Sequence, residues 1–332
     1  MRVYFQVAVS ESENGPWEFV GDDGTWESYF TETSALSDLT GQFCRFRVFL
    51  VSTDGAATPL VEDVQLTHSG TSGSQVHRFT FDEAGNMIKL SMITDAGTQE
   101  DVRVYNDLNQ LESSSGDWVY FYDLDGNLIE KNNGDSEGCE KWEYAWNQDC
   151  RLTQVKKGVY DATPVLVNVL TVNYGYDQMG RLLVRDDGTD QTLLRWDGWD
   201  LAGETTGGVD TLYTVPGGLI RSFLRDGELY TIHCDGLGSV RMVTDDEGAV
   251  VSRFDWSAWG EALDGNFDGV PGGCPFGWVG GLGVRFDEAT GMHYMRNRWY
   301  SLRLQRFISR DPSGIDSGDN LYCYCENRPL SL

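Results

Sequence analysis

No window of the 332 residues approaches 18 consecutive apolar side chains, and the start, MRVYFQVAVSESENG, lacks an apolar h-region. A membrane span and a signal peptide are therefore both missing from the sequence. The seven cysteines, at positions 44, 139, 150, 234, 274, 323 and 325, include no C-x-x-C pair, which excludes the usual zinc and thioredoxin signatures and leaves at least one thiol unpaired. Lysine is scarce, five of 25 cations, against 52 Asp and Glu. A net charge of -27 repels a phosphate backbone and an anionic bilayer, so nucleic acid is not an expected partner. Helical periodicity is also lacking: no stretch of a dozen residues keeps apolar positions at i, i+3, i+4 and i+7. There is no phosphate-cradling Gly loop followed by Lys, no G-x-S-x-G elbow and no H-E-x-x-H.

What the sequence has is aromatics, at 12%, and 39 scattered glycines. Many fall into one recurring phrase: aromatics, then Asp or Asn, a turn with Gly, and a branched apolar residue. Phe79 to Ile88, Tyr120 to Ile129 and Tyr174 to Leu183 are clear copies, with Asp82, Asp123 and Asp177 before Gly85, Gly126 and Gly180. Tyr105 to Leu111 and Tyr144 to Leu152 keep the frame without the Gly. Alternating aromatics make a strand with one buried face, Gly takes the positive φ of a tight turn, and the Asp carboxylate accepts a turn N–H. Each such hairpin must stack on its neighbours to cover its aromatic face, which predicts an all-β, long coiling antiparallel sheet.

Residues 1–68 differ in texture. Short alternating runs at Val3–Val9, Phe19–Val20, Ser28–Phe30, Phe43–Leu50 and Val61–Leu66 predict a partial β-sandwich, which suggests that a longer chain has been cut at this end. The Gly/Ser-rich stretch at 69–76 reads as a linker. Hairpins then occupy 77–195.

From Trp196 to the end the sequence resembles the repeat-associated core of the Rhs family, whose tyrosine-aspartate (YD) repeats match the phrase above. The resemblance rests on Arg195–Leu201, Asp235–Arg241, Phe254–Glu261, and above all Arg285–Tyr300, Arg306–Pro312 and Asn320–Tyr324. It implies hairpins wound into a shell that the core, 196–332, closes. The role it implies is a non-enzymatic structural scaffold, the terminal part of a shell that encloses or presents a toxin or adhesin cargo. Expected partners are other shell segments of the same or a longer chain and a toxin cargo, with a secreted or cell-surface location. The hairpins look too few to enclose a cargo by themselves, and the chain reads as the tail end of a longer polypeptide.

Three constellations could carry chemistry. In relatives that release their cargo, the core cleaves itself with two aspartates and an arginine; Arg298 and Asp311 match the arginine and one aspartate, while the second would fall two residues beyond Leu332. One carboxylate cannot share a proton between acid and base roles, so the set is incomplete, and a turn cap at Asp311 paired to Arg298 is the simpler expectation. Asp264, Asn266 and Asp268 have the spacing that opens a calcium loop, but Pro275 stands where the closing bidentate carboxylate belongs. Trp17, Trp26, Trp196 and Trp199 could stack on a glycan, although aromatics at period two usually pack in a core. Cys323 and Cys325 are expected on one face of a strand as small hydrophobes.

Overall fold

A computed structural model describes residues 2–10, 18–19, 43–51, 76–94, 96–264 and 274–329. The chain divides into two compact units, Met1–Arg78 and Phe79–Leu332.

In the first unit, Arg2–Ser10 and Phe43–Val51 pair antiparallel over nine residues each, in register from Arg2 opposite Val51 to Ser10 opposite Phe43. The other strands expected before residue 69 lie outside the described residues or, at Phe19, carry no strand. So does the expected linker up to residue 75.

The rest is dominated by one sheet of 17 strands, from Val76–Phe81 to Val250–Arg253, each hydrogen-bonded to the next in sequence. The chain is all-β as the sequence predicts; helix among the described residues amounts to short 3-10 turns such as Pro216–Gly218 and Gly280–Leu282. The coiling sheet meets itself. The last strand lies beside the first, so the sheet closes into a barrel and neither edge is left unpaired along the ring. It also runs unbroken through Trp196, with Gln191–Asp197 paired to Asp200–Thr206.

Alternation explains which way the strands face. In Trp118–Tyr122, Trp118 and Tyr120 are buried and Phe121 is half exposed; in Gln191–Asp197, Thr192 and Leu194 are buried between exposed neighbours. The inward residues form a single cluster from Leu111 to Phe254, and Met292, Tyr294, Trp299, Leu304 and Ile308 of the C-terminal segment belong to the same cluster. Residues 274–329 therefore fill the barrel as a plug. The plug has its own four-stranded sheet, Arg285–Asp287, Met292–Met295, Arg298–Ser301 and Arg306–Phe307. A second small cluster, Trp278, Val279, Tyr300 and Phe307, holds it together.

Candidate functional site

The wall is built from one repeated turn. At Asp82, Asp123, Asp177 and Asp235, the backbone N–H donates to the carbonyl four residues on, the Gly three residues on donates back, and the carboxylate accepts the i+4 N–H at 2.7–2.9 Å. Asn106 and Asn147 make the same three bonds with amide oxygens. Where the Gly is missing, Asn109 and Cys150 take its place at φ 59° and 54°, beside 74–85° at the four glycines. The two copies that lack Gly in the sequence are thus intact turns. Asp245 and Ser257 close two further ones, with Gly248 and Gly260 at the left-handed position.

At five places a Tyr or Trp supplies the link between turns. Tyr105 Oη donates to the Met87 carbonyl, Trp146 Nε1 to Leu128, Tyr176 Oη to Leu152, Trp196 Nε1 to Leu182 and Trp256 Nε1 to Val240, all at 2.7–2.9 Å. In these five cases the acceptor is the apolar residue just after a preceding turn, and all five of these residues are buried. One aromatic side chain therefore covers its predecessor's core residue and satisfies that residue's carbonyl, which would otherwise face apolar surroundings. This chemistry requires a ring with an N–H or O–H at its far end, hence Tyr or Trp and not Phe.

The plug docks on the ring of turns. Asn327 Nδ2 donates to Gly85 O at 2.7 Å, Asn320 Nδ2 to Ala84 O at 3.1 Å, Arg306 Nη2 to Asn109 O at 2.6 Å, and Tyr322 Oη to Gly126 O at 2.8 Å. Further round, Tyr294 Oη accepts the Leu182 N–H, and Gly281 donates to Gly238 O. Two buried ion pairs tie wall to plug. Arg185 grips Asp287 through Nε and Nη2, both at 3.0 Å, while Tyr174 Oη donates to the same carboxylate at 2.8 Å. Arg285 pairs with Glu204. Burial and the Asp287 charge both hold the Tyr174 phenol well above its usual range.

Arg298 and Asp311, thirteen residues apart, meet in this plug: Nη2 to Oδ2 is 2.7 Å. The guanidinium also lies 3.5 Å from the Phe307 ring centroid and donates to Leu321 O, and burial lowers its pKa from the usual arginine value. Asp311 Oδ1 accepts the Ser313 N–H at 2.8 Å, so its carboxylate is shared between an arginine and a turn. Asp264 ends the strand Ala262–Asp264, whereas Asn266 and Asp268 lie outside the described residues. Trp17 and Trp26 are outside them too; Trp196 is committed to Leu182, and Trp199 is 46% exposed. Cys323 and Cys325 do not share a strand face: Cys323 is half-buried and Cys325 exposed, in a bend whose Cys325, Glu326 and Asn327 all take positive φ. Three glycine-free left-handed residues in a row cannot continue a strand.

Asp287, Arg185, Glu204 and Arg285 escaped the sequence reading. A signal existed for Glu204, a lone carboxylate at an inward position of Asp200–Thr206. Its partner, 81 residues on, left none. A cleft of about 610 Å³ between the turns at Asn147 and Asp177, lined by Arg151 and Tyr176, is the open space between neighbouring hairpins.

A closed wall of YD hairpins capped from within by its own C-terminal segment defines a YD-shell protein. Residues 62–195 and 205–323 match the family model described as teneurin YD-shell, and the chain belongs to that family. The tRNA nuclease WapA of Bacillus subtilis is 26% identical over 275 residues, 80% of this chain and 11% of that protein. Toxin protein Tse5 of Pseudomonas aeruginosa is 26% identical over 259 residues, 67% of this chain and 19% of that protein. The chain thus spans between about a tenth and a fifth of these relatives. The solved TcdB2-TccC3-Cdc42 structure superposes on 81% of this chain and 18% of its own, at 16% identity and a TM-score of 0.46.

Proposed function

We propose that this chain is the structural end of an Rhs-type shell, a non-enzymatic scaffold that encloses or presents a toxin cargo carried by the same or a longer polypeptide. The observation that supports it is the plug: six turns of the wall spend backbone or side-chain groups on holding residues 281–327. That is a device for sealing a container. A secreted or cell-surface location accompanies this reading, as the Rhs resemblance implies. Among the described residues no helix is long and apolar enough to cross a membrane. The test uses the chain with its natural flanking sequence: protease should spare the enclosed segment in the wild type and digest it once Asp287→Ala loosens the plug. Equal digestion in both would overturn the proposal.

A second reading, self-cleavage of the longer protein, is favoured by the Arg298–Asp311 contact at 2.7 Å. Expressed with its natural downstream residues, the chain should break at one site, and Asp311→Asn should abolish the break. An intact product at every pH would remove this reading.

A further inference from the structure

In a chain of net charge -27, one place inside the barrel carries an excess of cations. Lys131 is 8% exposed, and its Nζ stands 4.6 Å from the Trp142 ring centroid and 5.2 Å from that of Trp118. Arg303, in the turn between Arg298–Ser301 and Arg306–Phe307, lies 4.6 Å over Trp118, and Lys157 Nζ lies 5.1 Å over Trp142. Against these three cations stands a single carboxylate, Glu140, which is already held by Lys157 at 2.7 Å and by Trp142 Nε1 at 3.0 Å. Among the described residues, no carboxylate comes within ion-pair distance of Lys131 or Arg303.

The indole faces relieve a buried ammonium only in part. A buried charge is ordinarily paired, because the loss of hydration is otherwise uncompensated. Lys131 pairs across the sheet with Tyr120 and Trp142, both inward, so its ammonium faces the plug. Arg303 is exposed, so solvent and a dissolved anion reach its guanidinium.

The geometry points to a carboxylate-binding site between Lys131 and Arg303, walled by Trp118 and Trp142. A carboxylate fits because Arg offers a planar fork and Lys a point charge. Its source is either the side chain of an acidic peptide held inside the shell or a free carboxylic acid. The site stands on these side chains alone and does not depend on the scaffold reading.

Without an anion, burial first and the Arg303 charge second lower the Lys131 ammonium pKa to about 7; Glu140 opposes this and Lys157 adds to it. A bound carboxylate favours the charged amine, so binding takes up a proton and strengthens as the pH falls.

The test is titration calorimetry of the full chain with sodium acetate, then with an end-blocked Gly-Glu-Gly peptide and its Gly-Gln-Gly counterpart. Saturable binding is expected, about tenfold tighter at about pH 6 than at about pH 8, with proton uptake revealed by buffers of different ionisation enthalpy. Binding should vanish in Lys131→Met, which keeps the stem over the indoles, and weaken several-fold in Arg303→Gln. Tighter binding of the Glu peptide than of acetate assigns the site to a peptide; equal binding assigns it to a free acid. No saturable heat from either probe, binding without proton uptake, or binding unchanged in Lys131→Met would overturn the proposal. If Lys131→Met fails to fold by circular dichroism, the exposed Arg303→Gln decides, and undiminished binding there overturns it.

Discussion

The Trp146 indole N–H donates to the Leu128 carbonyl oxygen at 2.8 Å, across the 18 residues that separate one turn from the next. Leu128 is fully buried, and the same relation recurs at Tyr105, Tyr176, Trp196 and Trp256. Trp146→Phe keeps the ring but leaves that carbonyl without its indole donor. A loss of about 1–3 kcal/mol in urea unfolding is expected, with Leu128→Ala losing about 2–5 kcal/mol. Equal stability of Trp146→Phe and wild type would show that the ring's packing alone links the turns.

The turn position three residues after the Asp separates two kinds of substitution. Gly126 has φ +83°, and a Cβ there would meet the Arg310 guanidinium and lie 2.6 Å from Tyr322 Oη. Gly126→Ala should therefore lower stability by more than about 1 kcal/mol, combining left-handed strain with a clash against the plug. Cys150→Gly goes the other way: at φ 54° it relieves strain, and stability should be unchanged or higher by up to about 1 kcal/mol. Thermal denaturation of both variants checks the contrast.

Asp287 neutralises Arg185 and accepts the Tyr174 hydroxyl. Asp287→Ala leaves the largely buried Arg185 guanidinium with Asp187 alone, at 2.6 Å, and removes the carboxylate that accepts the Tyr174 hydroxyl; a loss of about 1–3 kcal/mol follows. Because this contact joins wall to plug, limited proteolysis should cut within 274–329 before the wall. Simultaneous digestion of both would mean that the plug contributes no separate unit.

His293 is 1% exposed against Trp278, Phe286 and Tyr300, with neither ring nitrogen hydrogen-bonded, and burial holds its pKa down to about 3. The unfolded chain takes up the proton near the ordinary value of 6.5, the folded chain only near 3. Stability is thus complete above about pH 6.5 and falls by about 1.4 kcal/mol per pH unit as the pH drops toward 3. His293→Phe should remove this slope and raise stability at neutral pH. A pH profile identical to wild type would show that other groups govern acid unfolding.

Local chemistry was legible in the sequence because each turn is built within five residues. Asp82, Asp123 and Asp177 with their glycines announce it directly, while Trp146 before Asn147 and Tyr176 before Asp177 link back to the previous turn. The all-β class followed from the same phrase. Asn109 and Cys150 were less plain, since a residue other than Gly gives no sign that it will accept a left-handed φ until its neighbours hold it there. The bend at Cys325 was misread as a strand because alternation alone cannot register three consecutive positive φ values.

The sequence by itself determined the turn, the aromatic link and the direction each strand faces, all of which depend on residues near one another along the chain. Only the tertiary structure decided that the sheet meets itself, that the C-terminal segment lies inside it, and that Asp287 finds Arg185 and Arg303 finds Trp118. Those contacts span 102 and 185 residues and follow from ring closure, a property of the accumulated twist of many hairpins and not of any one of them.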